Sequence, residues 1–208
     1  MHLICAEKTG RCPPSPEQLV ISPGPKTTQH RELSTMSTMP MNVEIKAFAR
    51  HPVRQKALTA SLANGPAVVM DQCDTFFHVL RGRLKLRETV GKPATLIQYE
   101  RPNLYGIRTS RYRVIPIEDP DRVKQILGHI LGISGEVHKR REFFQVPPAR
   151  IHLDTVDGLG QFIEIEVVIE PGQSTQYGHE TAHDLMSKLA ITKSDLIAEA
   201  YIDLIISV

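Results

Sequence analysis

The chain has 208 residues, 41% hydrophobic and 23% charged, with five Tyr, six Phe and no Trp. That length suffices for one domain with a substantial core, or one domain plus a tail. A formal net charge of +2 is too mild for a bulk nucleic-acid binder, and no apolar run approaches the roughly 18–20 residues of a membrane-spanning helix. Cys5, Cys12 and Cys73 are an odd count without metal-type spacing, which reads as idle thiols in a reducing, cytoplasmic setting.

Residues 1–40 carry Pro13, Pro14, Pro16, Pro23, Pro25 and Pro40 among Ser, Thr, Gly and Gln, without apolar periodicity. Such a segment buries too little apolar surface to offset the entropy of ordering, so a disordered leader is expected. A start of translation at Met36, Met39 or Met41 is the other reading. Its first residues make a poor secretory signal, and its basic residues are too sparse for a membrane or nucleic-acid patch.

From Met41 onward, residues 41–208 read as one domain of short strands and helices. Polar and apolar residues alternate over 42–47, a strand with two different faces. A helix is expected over 51–63, opened near Pro52 and ended by Asn64-Gly65-Pro66. Strands over 71–79 and 83–88 flank an Arg81-Gly82 turn, and strands over 95–101 and 108–115 follow. Asp119-Pro120 opens a helix with Val123, Ile126, Leu127 and Ile130 on one face and Gly132 at its end. Strands over 137–145, 149–156 and 159–170 come next, then helical stretches over 178–190 and 194–206. This order argues for an α+β domain: an antiparallel sheet or barrel carrying helices.

The polar faces of the strands are uniform in character. Glu44 shares a face with Lys46, Lys85 with Arg87, Lys139 with Arg141, and Glu164 with Glu166; Arg150, His152 and Asp154 share another. The opposite faces carry Val43, Ile45, Leu84, Leu86, Ile151, Leu153, Ile163 and Ile165. For any one strand the charges are most simply a solvated surface. Five strands together favour a barrel with its aliphatic outside under helices and its charged faces lining a wet interior. Lys and Arg on several walls suit phosphate oxygens, and carboxylates among them call for a divalent cation, Mg²⁺ with Mn²⁺ as its substitute. The ligand expected from these residues is a metal-bound polyphosphate.

The chain resembles the CYTH superfamily, or triphosphate tunnel metalloenzymes, which includes class IV adenylate cyclases and thiamine triphosphatases. The resemblance runs from Met41 to about Leu204. It rests on Asn42-Val-Glu44-Ile-Lys46-Ala47, Gln72-Cys-Asp74-Thr75-Phe76-Phe77, Gly82-Arg-Leu-Lys85-Leu-Arg87-Glu88, Ser110-Arg-Tyr112 and Lys139-Arg-Arg141. Arg150-Ile-His152-Leu-Asp154 with Leu159-Gly160-Gln-Phe162-Ile-Glu164-Ile-Glu166 is its most specific stretch, and Tyr201-Ile-Asp203-Leu204 resembles the closing motif. It implies an eight-stranded antiparallel β-barrel around a tunnel. It also implies metal on Glu44, Glu164 and Glu166, and a small-molecule triphosphate gripped by Lys46, Lys85, Arg87, Arg101, Lys139, Arg141 and Arg150. His152 and Asp154 are implied near the reacting group; in a hydrolase Lys139, Arg141 and Arg150 are expected to stabilise charge as the bond breaks. Asn42 stands where the family signature has its first Glu, and Ala200 where a Ser often precedes the Tyr.

Three functions follow as expectations. A Mg²⁺-dependent triphosphatase comes first and a class IV-type adenylate cyclase second. A non-catalytic polyphosphate-binding module comes third. The partners expected are a small-molecule triphosphate, with no nucleic acid and no membrane, in a monomer or homodimer. Selectivity among triphosphates is expected at the tunnel mouth, from Tyr99, Tyr105, Tyr112 or the final helix.

Overall fold

Eight strands hydrogen-bond edge to edge until the last meets the first. In chain order they are β1 (Met41–Phe48), β2 (Val68–Phe77), β3 (Arg83–Thr89), β4 (Lys92–Glu100), β5 (Arg108–Ile117), β6 (Ile133–Val146), β7 (Ala149–Val156) and β8 (Gly160–Ile169). The order around the closed barrel is β1-β5-β4-β3-β2-β6-β7-β8, and every neighbouring pair is antiparallel. The computed structural model describes residues 39–207, so the leader expected over 1–40 lies outside the described residues apart from Met39 and Pro40. The antiparallel barrel expected from the sequence is the architecture observed.

Closure decides which way the alternating faces point. The aliphatic sides of β1, β6, β7 and β8, including Val43, Ile45, Phe144, Ile151, Ile163 and Ile165, face outward and are fully or nearly fully buried. They pack against Ala182, Leu185 and Met186 of α3 (Thr175–Lys188). The charged faces turn inward. One end of the interior is apolar instead: Phe76, Val137, Val156 and Phe162 pack on Ile197, Ala200, Tyr201 and Ile202 of the C-terminal segment.

The helices begin and end where local chemistry directs. Helix α1 (Pro52–Leu62) has Pro at its first turn and stops before Asn64-Gly65-Pro66. Helix α2 (Pro120–Leu131) is capped by the Asp119 carboxylate, which accepts from the Arg122 amide at 3.0 Å, and ends at Gly132, whose φ is +78°. Its Val123, Leu127 and Leu131 cover Phe77 and Leu86 on the outside of the barrel.

The helical stretch expected over 194–206 is corrected by the structure. Lys193–Asp195 forms a single 3₁₀ turn, the chain then runs extended, and only α4 (Tyr201–Ile206) is α-helical. Tertiary partners replace helical hydrogen bonds in the extended part. The Ile197 amide donates to the Lys46 carbonyl at 2.9 Å, and the Arg108 guanidinium donates to the carbonyls of Ile197 and Ala198, each at 2.9 Å. Helix-favouring composition loses to these contacts.

Gly178 sets how closely α3 approaches the barrel. A Cβ there would stand 2.6 Å from Ile169 Cδ1 and 2.7 Å from Val43 Cγ2. Gly178→Ala is expected to destabilise the fold by about 1–3 kcal/mol despite its better helix propensity, because strain in a packed core outweighs the roughly 1 kcal/mol propensity gain. Urea unfolding checks this, and an unchanged or raised midpoint would refute the close-approach argument.

Candidate active site

Strand alternation puts one wall of charge on each inward face. The cavity inside the barrel has a volume of about 200 Å³ and is lined by Lys46, Lys85, Arg87, Arg101, Lys139, Arg141 and Arg150, with Glu44, Asp74, Glu164 and Glu166. Seven basic side chains therefore face four carboxylates. Asn42, Tyr99, Ser110, Tyr112 and Tyr201 share the wall. Ten of the twelve side chains singled out in the sequence reach this surface, from β1, β3, β6, β7, β8 and the residue just after β4. The exceptions are Asp154 and His152.

Asp154 shares the inward face of β7 with Arg150 but is buried and does not line the cavity. Arg141 donates to it through Nε at 2.7 Å and Nη2 at 2.6 Å, and the Tyr201 hydroxyl donates to Oδ2 at 3.1 Å. Burial alone would raise the carboxyl of Asp154, but Arg141 outweighs it and holds it below the usual range. This fork fixes the guanidinium plane of Arg141, whose Nη2 also reaches Glu164 Oε2 at 2.7 Å.

His152 is likewise buried off the cavity, beside the Phe143 ring. Its Nδ1 stands 3.6 Å from Glu164 Oε2 and 3.8 Å from Glu166 Oε1, and it has no hydrogen-bond partner among the described residues. His152, Glu164 and Glu166 bring one ligand atom each within 4.8 Å of one another. An orphaned buried nitrogen converging with two carboxylates fits a divalent cation. Glu166 has no Lys or Arg within ion-pair distance among the described residues, whereas Glu164 Oε1 is 3.1 Å from Lys46 Nζ. Lys46 and Arg141 hold the Glu164 carboxyl well below its usual range against the opposing effect of burial.

Glu44 is the cross-strand partner of Glu166 and faces the same cavity. Its Oε1 accepts from Arg101 Nη1 at 2.9 Å and is 3.5 Å from Arg108 Nε, so it stands outside the His152 cluster. Arg101 keeps Nε and Nη2 buried without a protein partner, and Arg150 makes no ion pair among the described residues. These donors are free for an anion.

Three residues of the site were given no role in the sequence reading, although Asp74 and Tyr201 stand in its motifs. Asp74 is the hub of the opposite wall: Lys85 Nζ at 2.9 Å, Arg87 Nε at 2.6 Å and Lys139 Nζ at 3.0 Å all converge on its carboxylate. Burial would raise the Asp74 carboxyl, but Arg87, Lys139 and Lys85 together hold it well below the usual range. Alternation along Gln72–Phe77 was the signal available, since Asp74 shares the inward face with Phe76. Tyr201 lies under the Lys46 ammonium, 3.4 Å from its ring centroid, a cation–π contact. Arg108, buried, ties β5 to the C-terminal segment, and its sequence context does not distinguish it from a surface arginine.

The family model described as CYTH domain matches residues 40–201. A Methanocaldococcus jannaschii protein named "putative adenylate cyclase" is 27% identical over 134 residues, 63% of this chain and 75% of that protein. The solved structure of the Pyrococcus horikoshii protein PH1012 superposes with a TM-score of 0.69 at 19% identity, over 78% of this chain and 98% of that one. A Hippeastrum protein, described as a putative adenylyl cyclase with a dominant triphosphatase activity, superposes with a TM-score of 0.56 at 17% identity, over 80% and 95%.

Proposed function

Because the chain belongs to the CYTH domain family, we propose that it is a metal-dependent hydrolase of a triphosphate compound held along the barrel cavity. The charge balance carries this reading. An excess of three positive charges on the cavity wall is offset by a polyanion, and the free donors of Arg101 and Arg150 await one. The size of the cavity supports hydrolysis at the phosphate chain. At about 200 Å³ it falls below the roughly 300 Å³ of pockets that enclose drug-sized ligands, so a nucleoside or thiamine moiety stays at the mouth. The triphosphatase activity described for the Hippeastrum protein of the same fold agrees.

In this reading Lys46, Lys85, Arg87, Arg101 and Arg150 hold the phosphates extended. Glu164 and Glu166, with His152 behind them, would hold Mg²⁺ or Mn²⁺, which supplies charge neutralisation and Lewis-acid polarisation of the phosphoryl oxygens. Glu44 completes the acidic side of the wall. Water adds to the terminal phosphorus, the anhydride P–O bond breaks, and the charge gathering on the leaving oxygen is met by Lys139 and Arg141. Asp154 acts through Arg141 as a positioning residue, and so does Tyr201.

A pH dependence follows. Burial pushes the Lys85 ammonium down to about 7, with Arg87 adding to the effect and Asp74 opposing it. A bound polyphosphate favours the protonated form, so binding takes up a proton above pH 7. Affinity is expected to weaken from pH 7 towards 9, by up to about tenfold per unit for each proton taken up. Calorimetry in buffers of different ionisation enthalpy measures the uptake, and Lys85→Met should flatten it. The same dependence in Lys85→Met would exclude this lysine as its source.

A cyclase is the second reading, favoured by the name of the Methanocaldococcus jannaschii relative and by Tyr99 and Tyr112 on the wall as stacking surfaces for a base. There the ribose 3′-hydroxyl attacks the α-phosphate and pyrophosphate leaves. Asn42, buried with its Oδ1 unpartnered, gives a non-catalytic binder a place as well. The test is a product assay on the full chain with inorganic triphosphate, thiamine triphosphate and ATP, each with Mg²⁺ or Mn²⁺. Orthophosphate release supports the hydrolase, cyclic AMP with pyrophosphate replaces it by the cyclase, and binding without product replaces both.

A further inference from the structure

The outer wall of the barrel carries a second convergence of ligand atoms. Cys73 on β2 and His138 on β6 are direct cross-strand partners. Alternation turns them, with Glu136, away from the face that bears Asp74, Lys139 and Arg141. Cys73 Sγ is 3.8 Å from His138 Nε2, and that nitrogen is 3.6 Å from Glu136 Oε2. The three ligand atoms lie within 4.8 Å of one another. Around a tetrahedral zinc, with bonds of about 2.0–2.3 Å, neighbouring ligand atoms stand roughly 3.3–3.6 Å apart. The side chains are therefore a few tenths of an ångström from that spacing on the two measured edges.

Glu136 is oriented for the task. Its Oε1 is held by Lys124 of α2 at 2.5 Å and by the Thr75 hydroxyl at 3.2 Å, which leaves Oε2 turned towards His138. Outer hydrogen bonds of this kind aim a coordinating carboxylate. The His138 side chain is 56% exposed, so an ion has access from solvent. Glu88, directly opposite Cys73 on β3, lines the same surface groove as Cys73 and His138 but stands outside the three-residue cluster.

We propose that Cys73, Glu136 and His138 form a site for a borderline divalent cation, zinc in the first place, separate from the tunnel. A thiolate and an imidazole select zinc over magnesium, so the two sites of the protein would sort two kinds of ion. As the Zn–S bond forms, the Cys73 thiol loses its proton to solvent, and no electron is transferred. The ion would tie β2 to β6 beside the Lys124 anchor of α2.

The test is titration of the full chain with Co²⁺, which gives a sulfur-to-cobalt charge-transfer absorption only where a thiolate binds. The tunnel carboxylates cannot produce that band. It is expected in the natural chain and in a Cys5→Ser/Cys12→Ser variant, and Zn²⁺ should bleach it. It is expected to vanish in Cys73→Ser and His138→Ala, with Zn²⁺ affinity lowered about tenfold or more in His138→Ala. His138 is exposed enough that its removal leaves the fold intact, which circular dichroism verifies. No band in the natural chain, a band surviving Cys73→Ser, or a band lost in Cys5→Ser/Cys12→Ser would overturn the proposal.

Discussion

Glu164→Gln is expected to lower metal-dependent phosphate release by about 10²–10³-fold, the largest catalytic effect of any single substitution here. Glu164 belongs to the His152–Glu166 cluster and also receives Lys46 and Arg141. Its neutralisation removes a proposed cation ligand and leaves two buried basic groups short of a partner. Glu166→Gln separates these effects. Among the described residues Glu166 has no Lys or Arg within ion-pair distance, so its loss would disturb the proposed cation site and little else. The expected result is a rise of about 10–100-fold in the Mg²⁺ or Mn²⁺ concentration for half-maximal rate, with a nearly unchanged unfolding midpoint. Metal titrations of the two variants beside the natural chain read both. Unaltered metal dependence in Glu166→Gln would remove this cluster from the mechanism.

Asp74→Asn should show the largest effect on stability, about 3–5 kcal/mol in the absence of ligand. Three basic side chains converge on this one carboxylate inside the barrel. Without its charge they repel one another with no counterion. The cost has a pH signature. Burial already pushes Lys139 down and brings Lys85 to about 7, while Asp74 pulls both up; the substitution therefore lowers both further. A lysine depressed in the folded state contributes stability that is complete above its unfolded pKa and lost as pH falls through its folded pKa. The deficit of Asp74→Asn should accordingly be larger below pH 7 and shrink as pH rises through about 7, the folded value of Lys85 in the natural chain. Inorganic triphosphate should restore more stability to the variant than to the natural chain, because it replaces the missing anion. Denaturant unfolding with and without triphosphate measures all three effects. A variant as stable as the natural chain at pH 7 would show that Asp74 is not the counterion of this wall.

The two-faced strands were legible in the sequence because alternation is a local property of extended backbone. Glu44 with Lys46, Lys85 with Arg87 and Glu164 with Glu166 fall on common faces in any sheet. The ends of α2 were legible for the same reason, since Asp119, Pro120 and Gly132 act within one turn. Which face turns inward, and which strands become neighbours, is a matter of closure between distant segments. Asp74 becomes a hub only because β2 sits between β3 and β6, two strands far apart in the chain. Glu44 meets Arg101 and Arg108, and Glu164 meets Lys46, by the same non-local pairing. The extended run after Asp195 was decided by Arg108 and Lys46 taking up its backbone groups. Sequence alone determined the strands, their two faces and the kinds of charge available. Only the tertiary structure decided which charge meets which, because each pairing depends on contacts that no local pattern encodes.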